Sequence, residues 1–167
     1  HQLVLKNIDA DNAGRYRTVN VLISGAEHRP PSAMQLPERS GKPIAEQMAA
    51  FSDWCSNEAQ QLHPIERAAR VHGEFVKIHP FVDGNGRTSR LLMNLELMKA
   101  GFPATVIEVG QRLDYYQALD HAHCSGDYSD FIRLVANAVE KSFEPYWWAL
   151  GIEAEMARYL KEKGYGA

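Results

Sequence analysis

The run His79-Pro80-Phe81-Val82-Asp83-Gly84-Asn85-Gly86-Arg87-Thr88-Ser89-Arg90 gathers, in twelve consecutive residues, the side chains that phosphate chemistry needs. It lies between two segments of helical periodicity, so it reads as a loop running straight into a helix. Backbone N–H groups at a helix N-terminus point outward unpaired and carry the positive end of the dipole. Gly84 and Gly86 let that backbone approach a ligand with no Cβ in the way, and such a cradle suits phosphate. Arg87 and Arg90 lie three apart on the first turn and lean over the same anion. Asp83 suits a Mg²⁺ ion that bridges phosphate oxygens, or a helix cap, or both. His79, just upstream, is suited to taking a proton near neutral pH. A base, a metal ligand, an anion hole and an arginine clamp are the parts of a phosphoryl- or nucleotidyl-transfer site.

Simpler readings of nearby residues compete with this one. Asp83-Gly84-Asn85 has the opening of a calcium loop, but Thr88 stands where the glycine is required and Asn94 where the closing glutamate belongs. His121-Ala122-His123-Cys124 has ligand types, yet one helix offers few converging atoms, so chance placement is the expectation. His63 and His72 read as packing or surface residues. Trp147-Trp148 reads as packing against the bundle.

The elements that must hold the loop follow from periodicity. Val19, Val21 and Ile23 alternate with Asn20 and Leu22, Ser24-Gly25 turns the chain, and Pro30-Pro31 stops the return. That pattern predicts a small β-hairpin over about 18–29. After Pro43 the spacing becomes helical, through Met48, Phe51 and Trp54. Pro64 suits a first helical turn, and Ile65, Ala69, His72, Phe75 and Val76 follow on one stripe that must end before Pro80. Leu91, Leu92, Leu95 and Met98 form another stripe, closed by Gly101. Tyr115, Leu119 and Ala122 form a shorter one. Ile132, Val135, Val139 and Phe143 form a long one, opened by Asp127 or Ser129 and broken at Pro145. A terminal amphipathic helix is expected over about 151–163. The fold class is mostly α with one hairpin, and 1–167 reads as a single domain.

Composition narrows the partners. A chain of 167 residues with 45% hydrophobic and 23% charged residues is ordinary for a soluble globular protein. A formal charge of −3 and a pI near 6.2 leave no footprint for nonspecific nucleic-acid binding. No apolar run is long enough to span a bilayer. Two distant cysteines, Cys55 and Cys124, fit a reducing compartment better than a disulfide framework, so a cytoplasmic location is expected.

The segment 79–90 resembles the motif of the Fic family, H-P-F-x-[D/E]-G-N-G-R-x-x-R, at every fixed position. The likeness extends over about residues 15–150. Arg17 to Pro31 resembles the Fic flap, and His63-Pro64 the segment preceding the motif. Tyr115-Tyr116 and Gly126 to Val135 resemble the regions behind the nucleotide base. The subgroup it looks most similar to includes the animal Fic enzymes of the endoplasmic reticulum. The resemblance implies a helical Fic bundle with a hairpin flap beside the active site, and a protein adenylyltransferase that moves AMP from ATP to a Ser, Thr or Tyr hydroxyl. It implies His79 as the base, Asp83 as the ligand of Mg²⁺ (or Mn²⁺), and Gly84, Asn85 and Gly86 as the anion hole, with the Asn85 amide on the α-phosphate. Arg87 would neutralise pyrophosphate, Arg90 would reach the γ-phosphate or an inhibitory glutamate, and Tyr115 and Tyr116 would enclose adenine. The target protein would add to the flap by strand pairing. Relatives often dimerise, so a homodimer is one expectation.

Two departures from the family pattern matter. No Ser or Thr is followed by the [S/T]-x-x-x-E-[G/N] pattern of the inhibitory helix. With a start at His1 rather than methionine, the expectation is that such a helix lies upstream of His1. A separate antitoxin, or no inhibitor at all, are the alternatives. His123 stands where the nearest relatives tend to have Asn beside the adenine, which leaves base selectivity open. A Fic enzyme transferring another nucleotide, or a non-catalytic binding module, are the competing functions.

Overall fold

The computed structural model describes residues 1–31 and 43–164, and these are mostly helical. A short helix α1 (Gln2–Leu5) precedes an irregular stretch, followed by α2 (Ile44–Ser56) and α3 (Pro64–Ile78). Then come α4 (Asn85–Lys99), α5 (Arg112–Ser125), α6 (Ser129–Lys141), α7 (Glu144–Leu150) and α8 (Glu153–Glu162). The terminal helix expected over 151–163 is thus formed as α8. The core lies among α3, α4, α5 and α6, where Ala68, Ala69, Met93, Leu97, Leu119, Phe131 and Val135 meet. Alanines on α3 let α4 come close. Phe51 of α2 adds an edge-on contact to Phe75 at 6.0 Å between ring centres.

Local chemistry sets the ends. Pro64 opens α3 while the His63 side chain accepts from the Ile65 N–H at 3.3 Å. After α4, Gly101 turns left-handed, with its N–H on the Met98 carbonyl and the Phe102 N–H on the Leu97 carbonyl, both at 3.0 Å. This paired closure satisfies carbonyls that the helix end would orphan. The N-cap of α6 is Tyr128 rather than Asp127 or Ser129, while Asp127 just before it accepts from the Ser129 N–H at 2.9 Å.

Three expectations need correction. The hairpin over 18–29 is absent as paired strands, because no strand occurs among the described residues. Ser24-Gly25 does turn the chain, but the flanking polar groups go elsewhere. The Glu27 and His28 N–H groups donate to Asp120, and the Val19 and Pro31 carbonyls accept from Arg17. The stripe on α4 is reversed: Leu91, Leu95 and Met98 are exposed, while Ser89, Met93, Glu96 and Leu97 face inward. Close packing on α3 selects the face with the smaller and straighter side chains, and Arg67 reaches Glu96 at 2.9 Å to accompany that buried carboxylate. Trp148 is exposed, and Trp147 stacks on Phe143 instead.

Two histidines enter this core neutral. His72 is fully buried, with Nε2 2.8 Å from the Tyr115 hydroxyl. Burial first, and then the Arg90 charge, push its pKa from 6.5 to about 3. His123 is pushed to about 4, again by burial first and then by His28. Below about pH 6.5 the unfolded chain takes up protons that the folded chain refuses, so stability falls with pH until the folded-state values are reached. Thermal melts followed by circular dichroism should therefore show Tm dropping from pH 6.5 towards 4. In His72→Phe the slope should be shallower, although Tm at pH 7 is lower because the Tyr115 hydroxyl loses its partner. An unchanged slope would remove His72 from this account.

Candidate active site

The chemistry-bearing loop is built by ending one helix and starting another within six residues. Pro80 forbids α3 from continuing, and His79 takes the left-handed conformation (φ 50°, ψ 59°) with its N–H on the Phe75 carbonyl at 3.1 Å. Among the described residues it is the one non-glycine with positive φ, a conformation that costs energy and needs support. Gly84 then supplies a φ of +78° ahead of Asn85, and an added Cβ would sit 3.2 Å from the His1 ring. The Asn85 side chain closes the loop: Oδ1 accepts from the Phe81 N–H at 3.0 Å and Nδ2 donates to the Phe81 carbonyl at 2.8 Å. Both ends of that amide are tied to the loop backbone and the residue is buried, so what Asn85 offers an anion is its backbone N–H at the start of α4. Phe81 anchors the loop, stacked on the His1 ring at 3.5 Å and near parallel. His1 also binds the Gly14 N–H through Nδ1 and faces the Asp83 carbonyl through Nε2, both at 2.9 Å.

His79 is held in a useful protonation state. Its Nδ1 lies 3.2 Å from the Val76 carbonyl. A carbonyl only accepts, so Nδ1 carries the hydrogen and Nε2 keeps a lone pair. Burial lowers the pKa, helped by Arg17 and His28 and opposed by the Val76 carbonyl and Asp83. The ring is therefore neutral at pH 7.

Arg17 organises the loop from behind, a role that the sequence reading did not assign. It is only 4% exposed. Its guanidinium donates to the carbonyls of His79 at 2.6 Å, Val19 at 3.0 Å, Pro31 at 2.6 Å and Ile78 at 3.3 Å. Its backbone N–H adds the Pro80 carbonyl at 2.9 Å. Both ends of the flap and the end of α3 are thereby tied to one cation. Nothing in residue type or spacing distinguishes this arginine from its neighbours Arg15 and Arg29 before the fold is known. Asp120 holds the other side of the flap, taking the Glu27 and His28 N–H groups at 2.9 Å each, while His28 Nε2 lies 3.0 Å from the Lys77 carbonyl.

A cavity of about 650 Å³ opens over the loop, a size that suits a nucleotide. His79, Asp83, Gly84, Asn85, Gly86, Arg87, Arg90, Tyr115 and Tyr116 all line it, as does His123. The two tyrosines differ. Tyr115 is buried in the core with its hydroxyl on His72, whereas Tyr116 is half exposed and presents more of its ring. Asp83 is exposed and pairs with Arg87 at 2.9 Å, and its other oxygen accepts the Gly84 N–H at 2.6 Å. His121 lies in a separate groove beside Asp114 and Asp130, so the His121–Cys124 run does not converge as a ligand set. Among the described residues, Glu27, Asp120 and Cys124 do approach one another, but both Asp120 oxygens already hold backbone N–H groups.

Fold, loop and cavity together define a Fic-type domain, and the chain belongs to the Fic/DOC family, whose model matches residues 1–97. It is 46% identical over 147 residues to a protein of Nematostella vectensis named "Protein adenylyltransferase Fic". That alignment covers 87% of this chain and 32% of the relative. A protein of the same name from Drosophila melanogaster is 42% identical over 89% of this chain and 28% of its own length. The chain thus spans about a third of these relatives. Among solved structures, Fic-1 of C. elegans superposes with a TM-score of 0.75 at 39% identity, covering 90% of this chain and 42% of that one.

Replacing Arg17 by Met keeps the aliphatic stem but leaves several buried carbonyls without a donor. The expected loss is roughly 2–4 kcal/mol in urea unfolding. A loss below about 0.5 kcal/mol, the range of a surface substitution, would show that the four carbonyls find water instead.

Proposed function

We propose that this chain is a protein adenylyltransferase, transferring AMP from ATP to a hydroxyl side chain of a target protein. The observation that carries this reading is the joint placement of a neutral His79 and the α4 N-terminus on one nucleotide-sized cavity. The names of the relatives, adenylyltransferases over most of this chain, support it.

In this reading His79 Nε2 takes the proton of the target hydroxyl. The oxygen attacks the α-phosphorus, the bond from that phosphorus to the β-phosphate oxygen breaks, and pyrophosphate leaves. The result is an AMP ester on the target. Backbone N–H groups of Asn85 and Gly86 face the charge that builds on the phosphate, aided by the helix dipole. Arg87 stabilises the departing pyrophosphate and Arg90 the γ-phosphate. Tyr116, with the buried Tyr115 behind it, walls the base.

A divalent cation fits this donor set. Asp83 is an accessible hard-oxygen ligand with lone pairs to spare, and Mg²⁺ is commonly held by one or two carboxylates plus substrate phosphates. Asp83 is the residue that would hold Mg²⁺ or Mn²⁺, which would supply charge neutralisation across the phosphates. The target segment docks along 18–29, which borders the cavity at Ile23, Ser24, Gly25 and Ala26.

The test is incubation with a target-bearing lysate and ATP labelled on the α- or the γ-phosphate. Label should stay on protein only from the α position. His79→Ala should abolish transfer, by at least about a hundredfold as loss of a general base does, while ATP affinity changes little. Asp83→Ala should weaken metal-dependent binding and transfer together. Because the His79 pKa is lowered, the acid limb of the rate profile should lie below pH 6.5. Label from the γ position alone would identify a kinase and overturn this reading.

A further inference from the structure

The carboxylate of Asp83 is held by bonds that a ligand would compete for. One oxygen takes the Gly84 N–H at 2.6 Å and the other pairs with Arg87 at 2.9 Å. A cation arriving there takes lone pairs that the arginine now uses, so the side chain must change partner while its main chain stays in place. That main chain is gripped by His1, whose Nε2 lies 2.9 Å from the Asp83 carbonyl.

The His1 ring is specified on every side that matters. The Gly14 N–H reaches Nδ1 at 2.9 Å. A backbone N–H only donates, so Nδ1 accepts and the hydrogen sits on Nε2, facing a carbonyl that only accepts. One tautomer therefore satisfies both partners. The ring lies on Phe81 at 3.5 Å between centres and 6° between planes. Phe81 is buried, and its own N–H and carbonyl are held by the Asn85 side chain. An added Cβ on Gly84 would meet the His1 ring at 3.2 Å and Leu5 of α1 at 3.5 Å. Leu5 is fully buried, so α1 gives the loop a fixed support. A single imidazole thus touches Phe81, Asp83 and Gly84 and braces them against Gly14.

We propose that His1 is a positioning residue for cation binding, holding the Asp83 main chain while the Asp83 carboxylate passes from Arg87 to a divalent metal. The inference rests on the reading of Asp83 as the metal ligand under the proposed function. His1 touches neither metal nor nucleotide; it acts through the carbonyl of the ligand residue, as hydrogen-bond partners behind metal ligands do. The stack on Phe81 supplies packing, and the Nε2 hydrogen supplies the position of Asp83.

The test compares ATP affinity by calorimetry with Mg²⁺ and with EDTA, in wild type, His1→Phe and His1→Gln. Phenylalanine keeps a ring on Phe81 and loses both hydrogen bonds. Glutamine loses the stack and returns an N–H donor to the Asp83 carbonyl. The gain in affinity from Mg²⁺ should fall about tenfold in His1→Phe and largely recover in His1→Gln, with affinity in EDTA unchanged in both. Combined with Asp83→Ala, His1→Phe should cost no further Mg²⁺ gain. A full Mg²⁺ gain in His1→Phe overturns the proposal, as does an equal loss in EDTA, which would mark a merely structural role. Should the variants fail to fold, ¹⁵N spectra of the wild-type His1 ring decide. The hydrogen should be on Nε2 both free and with Mg²⁺–ATP bound, and its transfer to Nδ1 in the complex would mean that Asp83 has been released. No Mg²⁺ gain in wild type overturns the metal reading and this inference together. A His1-dependent Mg²⁺ gain without transfer of α-label leaves His1 its role and removes the transfer reading alone.

Discussion

The loop depends on one buried guanidinium. Arg17 gathers carbonyls from Val19, Pro31, Ile78 and His79, which lie in three segments distant in sequence. Each of those carbonyls would otherwise need water or a strand partner. A planar fork with five donors serves them together, and an ammonium could not cover the same directions. The left-handed turn at His79 survives because its carbonyl is gripped from this side and its N–H from α3. The same cation substitutes for the ladder that a hairpin would have made, which is why the flap is held in place without being a sheet.

Around that anchor the loop is specified several times over. Asn85 staples it to Phe81, Phe81 is pressed against His1, and Gly84 makes its left-handed turn with no Cβ to crowd the His1 ring. Such redundancy is what a preorganised anion cradle requires, since donors that had to be reoriented during reaction would lose their advantage. The His79 and His123 rings each lean on a backbone carbonyl of α3, and both line the same cavity.

Much of this was legible in the sequence, for identifiable reasons. The loop could be read because its function constrains adjacent residues, and adjacency survives without a structure. The stripe on α3 and the stop before Pro80 were likewise local. What escaped was set by packing. Leu91, Leu95 and Met98 share a face with ideal spacing, but periodicity does not say which neighbour that face meets, and α3 took the Met93–Leu97 side instead. The alternation at 19–23 was real, yet pairing is a property of two segments, and the second was committed to Asp120. Arg17 and His1 were invisible because the loop residues they hold, His79 and Asp83, lie more than sixty residues away.

The Asp83–Arg87 contact has a consequence for how the site waits. The group proposed to hold the cation and the group proposed to hold pyrophosphate are paired with each other, at 2.9 Å and largely in solvent. An exposed pair of this kind is worth less than about 1 kcal/mol, so it opens easily. Arrival of a metal–nucleotide complex is then a swap, in which an internal zwitterion is traded for two contacts of matching sign. The resting pocket presents little net field from these two residues, and neither the bare cation nor the free anion alone relieves both partners at once. On that proposal the pair is a self-neutralised receptor for a ligand that carries charges of both signs.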